Sequence, residues 1–318
     1  MASPPASSSA TASVAQTTTA APAPPKPKPK PKPPFAVGVR VVTFTDPSRT
    51  VTYPGQAPQP RQLVTTIRYP ARGASSQTDV NNAPPRRAGG PFPLVIFGHG
   101  FAVTPGIYAT LLQAWARAGY VVAAPAFPLG NKNAPGGPNE NDLVNQPGDM
   151  SFLISQLLEA DGIHDGFFGG LIDPHKIAVS GQSDGGDTAL SVAYDSQFLD
   201  RRIGAAMILS GQEIPGVGGY TFPAPSPPLL AVQGTADTIN LPATTYAFFN
   251  AAQAPKYLLA LPGARHLPPY TDEQPQLSIV ERVTVAFMDR YLKGDRRALG
   301  RMATAGNVAG TATLQSDR

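Results

Sequence analysis

The side chains able to do chemistry fall in three short strings. The first runs an apolar stretch, Lys176-Ile177-Ala178-Val179-Ser180, into Gly181-Gln182-Ser183-Asp184-Gly185 and on into a helical pattern. A serine presented there as a nucleophile must sit on a tight strand-to-helix turn, and glycines two positions to either side leave space where a Cβ would meet backbone. A serine hydroxyl is a weak nucleophile at neutral pH, so it needs a base within hydrogen-bond reach and a carboxylate that holds the base in the right tautomer. Of the four histidines, His99, His164 and His175 precede Ser183, and only His266 follows it, in the loop Pro262-Gly263-Ala264-Arg265-His266 after an apolar run. Asp237 comes between them, in Gln233-Gly234-Thr235-Ala236-Asp237, directly after apolar residues 229–232. The order Ser183, Asp237, His266 is the chain order expected of an acyl-transfer triad assembled at one edge of a sheet. Asp272 and Glu213 are the competing carboxylates, but neither lies at a strand end upstream of His266.

A tetrahedral intermediate would also need two N–H donors. The string Gly98-His99-Gly100-Phe101 after an apolar run supplies one, so the backbone N–H groups of Phe101 and Asp184 are the expected oxyanion donors. His99 is expected to orient that loop by hydrogen bonding, and the Asp184 carboxylate to make a local interaction at the helix start. Phe101, Phe127, Tyr220 and Phe222 are the expected substrate-lining aromatics, the last three because they lie in long loops over residues 127–148 and 211–228.

These strings need a scaffold, and the apolar pattern provides one. Residues 35–44 and 62–69 read as antiparallel strands. Apolar strand patterns over 93–97, 121–124, 176–180, 205–209, 229–232 and 257–261 then alternate with helical patterns near 107–118, 149–160, 184–194 and 276–292. Near-continuous apolar strands alternating with helices imply an α/β fold, a mostly parallel central sheet of about eight strands covered on both faces, with no large lid. The expected organisation is a Pro/Lys/Ala/Ser/Thr-rich tail over 1–34, a catalytic domain over 35–296 and a flexible C-terminal tail over 297–318.

Ten of the 37 prolines lie in residues 1–34, together with four lysines and no acidic residue; without them 21 basic side chains balance 21 acidic ones. The basic pI therefore belongs to the tail, which argues against a nucleic-acid partner. With no cysteine, disulfides, thiolate zinc sites and a cysteine nucleophile are excluded. No metal-binding or dinucleotide motif is present, so no metal and no cofactor is expected. No run of 18 apolar residues marks a membrane span. No apolar leader follows Met1, which leaves two locations open: secreted or cell-envelope with the signal peptide absent from this chain, or cytoplasmic. A monomer is expected.

Together, Ile67-Arg68-Tyr69-Pro70-Ala71, Phe97-Gly98-His99-Gly100-Phe101, Gly181-Gln182-Ser183-Asp184-Gly185-Gly186, Gly234-Thr235-Ala236-Asp237 and Gly263-Ala264-Arg265-His266 resemble the α/β-hydrolase superfamily. The resemblance covers about residues 37–292, and its nearest group includes bacterial predicted dienelactone hydrolases and platelet-activating-factor acetylhydrolase-like esterases. Dienelactone hydrolases use a cysteine, so the resemblance implies a serine esterase here. Cutinases and polyester hydrolases are similar in having an aromatic residue at the position of Phe101, but they usually carry Met where this chain has Asp184. The expected function is hydrolysis of small-molecule or polymeric carboxylic esters through an acyl-enzyme, with short acyl chains. A polyester hydrolase, a peptidase or amidase on the same triad, and a non-catalytic surface-binding protein are the alternatives.

Overall fold

Strand residues with apolar side chains on both faces must be covered on both faces, and that requirement organises the sheet. The computed structural model describes residues 1–5 and 34–318. Most of the segment expected as an N-terminal tail lies outside the described residues. The remainder, Pro34–Arg318, forms one unit.

Its ten strands are β1 (Ala36–Val51), β2 (Gln59–Ala71), β3 (Val80–Asn81), β4 (Phe92–Gly98), β5 (Val121–Ala126), β6 (Ile172–Gln182), β7 (Ile203–Leu209), β8 (Leu229–Gly234), β9 (Lys256–Leu261) and β10 (Thr313–Asp317). They lie in the order β10-β9-β8-β7-β6-β4-β5-β2-β1-β3. The run from β5 through β4 and β6 to β9 is parallel, whereas β2 pairs antiparallel with β5 and β10 antiparallel with β9. This is the α/β-hydrolase fold.

Alternation along the strands sorts the core into two layers. Leu94, Ile96, Ile177, Val179, Leu229 and Ala231 face one side, with α2 (Gln146–Gly162), α3 (Asp184–Tyr194) and α4 (Pro242–Ala251). Val95, Phe97, Ala178, Leu230 and Val232 face the other, with α1 (Ala109–Arg117), α5 (Gln276–Tyr291) and α6 (Ala298–Gly306). The Trp115 indole N–H donates to Thr284 Oγ1 at 2.9 Å and satisfies the one polar atom of that buried ring where α1 meets α5.

Two expectations need correction. The sheet has ten strands rather than about eight, because β3 and β10 add to its edges. Residues 297–318 are not a free tail: α6 packs Met302 into the core, and Thr313–Asp317 pairs with Ala260–Lys256 of β9. Backbone hydrogen bonding to an otherwise open edge orders this strand, although its side chains are mostly exposed.

For function, the parallel strands matter most. They bring the loops after β4, β6, β7, β8 and β9 to one edge of the sheet, and β6 lies beside β4 rather than β5, where the strand order reverses, the place at which open α/β sheets bind their ligands.

Candidate active site

Ser183 stands between β6 and α3 with φ 55° and ψ −127°, a conformation that a non-glycine residue rarely adopts. Such strain costs about 1–3 kcal/mol. Burial of Leu190 and Val192 of α3, each worth roughly 1.5–3 kcal/mol, is sufficient to hold it. The flanking glycines are required by contact. A Cβ on Gly181 would lie 2.0 Å from the carbonyl oxygen of Gly185, and one on Gly185 would lie 2.0 Å from that of Gly98. The turn is thus packed backbone to backbone against the end of β4. Ser183 occupies the N-cap position of α3 but its side chain caps nothing, so Oγ is left free at the helix's positive end.

The loops after β8 and β9 bring Asp237 and His266 together. His266 Nδ1 lies 2.8 Å from Asp237 Oδ2. The other carboxylate oxygen accepts from the N–H groups of Ile239 (2.9 Å) and Asn240 (3.1 Å), and Gln233 Nε2 donates to Oδ2 at 3.2 Å. Burial alone would raise the Asp237 carboxyl, but the hydrogen bonds from His266 and Ile239 outweigh it and hold the group below the usual carboxylate range. An ionised Asp237 can only accept, so Nδ1 carries the proton and Nε2 presents its lone pair.

That lone pair faces Gln182. Gln182 Nε2 stands 3.2 Å from His266 Nε2 and donates to the His266 carbonyl oxygen at 3.0 Å, while its Oε1 accepts from the buried Tyr108 hydroxyl at 2.7 Å. The loop after β4 closes on the same group: a Cβ on Gly100 would lie 2.9 Å from Gln182 Oε1 and 3.2 Å from Ser183 Cβ. The next residue, Phe101, is half-buried, and among the described residues no backbone carbonyl takes its N–H. Asp184 is the first residue of α3, so its N–H has no intrahelical acceptor. His99 is buried between Gly100 O (2.7 Å from Nδ1) and the Phe127 N–H, which donates to Nε2 at 3.0 Å. Burial pushes its pKa down to about 4, so it is a neutral brace for this loop, as expected.

Other expected residues lie elsewhere. Phe127 is buried with its ring against His99, and Phe222 is buried against Tyr194. The Tyr220 hydroxyl is used at 2.5 Å from Ser191 Oγ, and it accepts the Ile214 N–H at 2.9 Å. Phe127 and Phe222 are thus buried against the scaffold instead of lining a cleft, and half-buried Tyr220 is tied down through its hydroxyl. The loop after Phe127 is fastened as well. Buried Arg61 of β2 makes paired bonds to Asp142 and to Asp149, and Thr188 of α3 donates to Gln146 Oε1. His164, His175 and Asp272 take no part in the arrangement around Ser183; His164 pairs with Asp165 in solvent.

The Asp184 carboxylate is only partly satisfied at the helix start: Oδ2 is buried without a partner, and burial, reinforced by Glu140, outweighs the pull of its own backbone N–H and pushes the group up to about 7. The Asp187 carboxylate reaches out of the helix and accepts the N–H of Gln212, in the loop after β7, at 2.7 Å. Gln182, Tyr108, Gln233 and Asn240 were not anticipated. Only Gln182 carried a sequence signal, as the variable residue before the serine of Gly-x-Ser-x-Gly.

The model of a family described as Chlorophyllase matches residues 73–242, which include Ser183 and Asp237 and end before His266. Among solved structures the chain is similar to a ferulic acid esterase from Streptomyces cinnamoneus, with a TM-score of 0.61 and 21% identity over 82% of this chain and 91% of that one. At that identity the likeness is one of fold. No curated protein sequence matches the chain significantly.

Proposed function

Because the chain belongs to the chlorophyllase family of α/β-hydrolase-like esterases and is a carboxylic-ester hydrolase, we propose that it works through an acyl-enzyme on Ser183. His266 Nε2 takes the Ser183 Oγ proton as Oγ bonds to the ester carbonyl carbon. The carbonyl oxygen becomes an oxyanion facing the N–H groups of Phe101 and Asp184. Collapse of the intermediate breaks the bond to the alkoxide, which leaves with the proton from His266. Water, deprotonated by the same nitrogen, then releases the acid and restores Ser183. Asp237 holds the Nδ1–H tautomer and stabilises the imidazolium that forms in each step. The observation that carries this reading is the 2.8 Å bond between His266 and Asp237 beside a serine held at positive φ with its hydroxyl free.

Ester rather than amide substrates are favoured by the names of both the matching family and the structural neighbour. Short acyl groups are favoured by the scaffold. Residues 210–228, between β7 and β8, contain no helix that could cover the crevice, and Phe101 at its edge is half-buried. A covered tunnel would gain about 0.8 kcal/mol, close to fourfold, for each added methylene. An open groove stops gaining once the chain passes the rim. Hydrolysis of p-nitrophenyl esters from acetyl to dodecanoyl is expected to show kcat/KM flat or falling beyond the first few carbons. A steady rise with length, with interfacial activation on emulsions, would contradict the short-acyl assignment.

A further inference from the structure

Gln182 is the last residue of β6, 1% exposed, and its side-chain amide stands against the face of His266 that must receive the serine proton. The orientation of the amide is fixed by its neighbours. The His266 carbonyl oxygen can only accept, so the group 3.0 Å from it is the amide nitrogen. At the other end, the Tyr108 hydroxyl donates to Oε1 at 2.7 Å and itself accepts the Gly100 N–H at 3.3 Å. A flipped amide would turn Oε1 toward the His266 carbonyl oxygen and leave the Tyr108 proton without its acceptor. The amide nitrogen therefore also meets Nε2 of His266, at 3.2 Å, where the lone pair is. Among the described residues no hydrogen bond joins Ser183 Oγ to His266.

We infer that Gln182, locked by Tyr108, is a positioning residue that occupies the His266 lone pair between turnovers and yields it to Ser183 Oγ when an ester binds. The inference rests on the reading of His266 as the base. Two consequences follow from hydrogen-bond chemistry. A donor facing Nε2 is compatible with neutral His266, but an Nε2–H would point at an N–H, so the amide resists protonation of the idle base. Once the proton has come from Ser183, that N–H must turn to the oxyanion or leaving oxygen rather than to Gln182, which directs it toward the reacting atoms. The charged groups around the ring are Asp237 from the loop after β8 and Asp184 from the start of α3. Glu140 stands behind Asp184, and Arg265 in His266's own loop is exposed.

Gln182→Met keeps the length and removes both donors, whereas Gln182→Glu replaces the donor facing Nε2 with an acceptor. One hydrogen bond selective for one protonation state moves a titration by about one pH unit. The acidic limb of kcat/KM for p-nitrophenyl acetate should therefore move up by roughly one unit in Gln182→Met and further in Gln182→Glu, with Tyr108→Phe moving it the same way by less. Well below the limb Gln182→Met should thus lose about tenfold more activity, relative to its own plateau, than the wild type. An anchor that merely packed the loop would lower the plateau and leave the limb in place; that result overturns the inference. Histidine 15N spectra of the resting wild type supply a second readout. They should show two imidazoles with Nδ1 protonated and Nε2 hydrogen-bonded but unprotonated, His99 and His266, and the one missing from His266→Ala should change when a phosphonate modifies Ser183. A resting His266 Nε2 resonance free of any hydrogen bond would also overturn the inference. Mapping the phosphonate in the same samples separates the two readings. Adduct on Ser183 with an unmoved limb refutes only the role of Gln182, and adduct on another serine refutes the proposed mechanism.

Discussion

Asp184→Asn tests the electrostatics of the crevice through stability. The carboxyl is 6% exposed, and burial, with Glu140 adding to it, raises its pKa from 3.8 to about 7. The raised value means that folding opposes ionisation. The folded state bears no penalty below pH 3.8, loses stability as pH rises from there to about 7, and bears the full penalty above. A shift of about three units at ~1.36 kcal/mol each corresponds to about 4 kcal/mol, of which ~3 kcal/mol develops between pH 5 and pH 8. Asn carries no charge at any pH, so this part of the pH dependence should vanish in the variant. Its buried amide, left with an unpaired donor, costs the same energy at both pH values and drops out of the difference. Urea titrations of both proteins at pH 5 and pH 8 should therefore show the variant gaining ~3 kcal/mol on the wild type across that interval, or roughly 6–12 °C in Tm. An equal gap at both pH values would show that Asp184 is paired or ionised throughout, and the description of the start of α3 would be wrong.

Other perturbations read the scaffold. Arg61→Met leaves Asp142 and Asp149 buried with only part of their compensation, since Arg49 reaches Asp149 but not Asp142; a loss of about 3–5 kcal/mol in urea unfolding is expected, and a wild-type midpoint would refute the role of this cluster. Gly185→Ala drives a methyl into the Gly98 carbonyl 2.0 Å away, with backbone on both sides; little soluble, active protein should result, and normal activity would show that the turn has room. Ending the chain at Gly306 removes β10 and uncovers the edge of β9, so Tm should fall measurably, whereas a free tail could be cut without effect.

The parts of the fold that were legible in the sequence are those whose signal is local. Residues 176–187 announce a strand, a turn and a helix through apolar run, glycines and serine, and α3 begins and ends where its pattern predicts. Asp237 and His266 could be picked out because parallel strands deliver their loops to one edge in chain order. β10 was not legible: Thr313-Leu314-Gln315-Ser316-Asp317 has one large apolar side chain and is ordered by pairing with β9. α4 begins with Pro242 and carries two adjacent threonines, a composition that hides its helix although Phe248 and Phe249 are core residues. Phe127 and Phe222 were assigned to the cleft because they sit in long loops, and composition does not say whether a loop aromatic turns inward. Gln182 was visible as a residue but not as a partner of His266, since that contact spans 84 positions and exists only after the sheet has closed.

The measurement that bears most directly on the mechanism is covalent mapping. The protein is treated with a serine-directed alkyl phosphonate until esterase activity is lost, digested, and the adduct is located by mass spectrometry. One adduct per chain on the peptide carrying Ser183, formed in step with inactivation and absent from Ser183→Ala, is the expected result. An adduct on a different serine, or full esterase activity in Ser183→Ala, would contradict it.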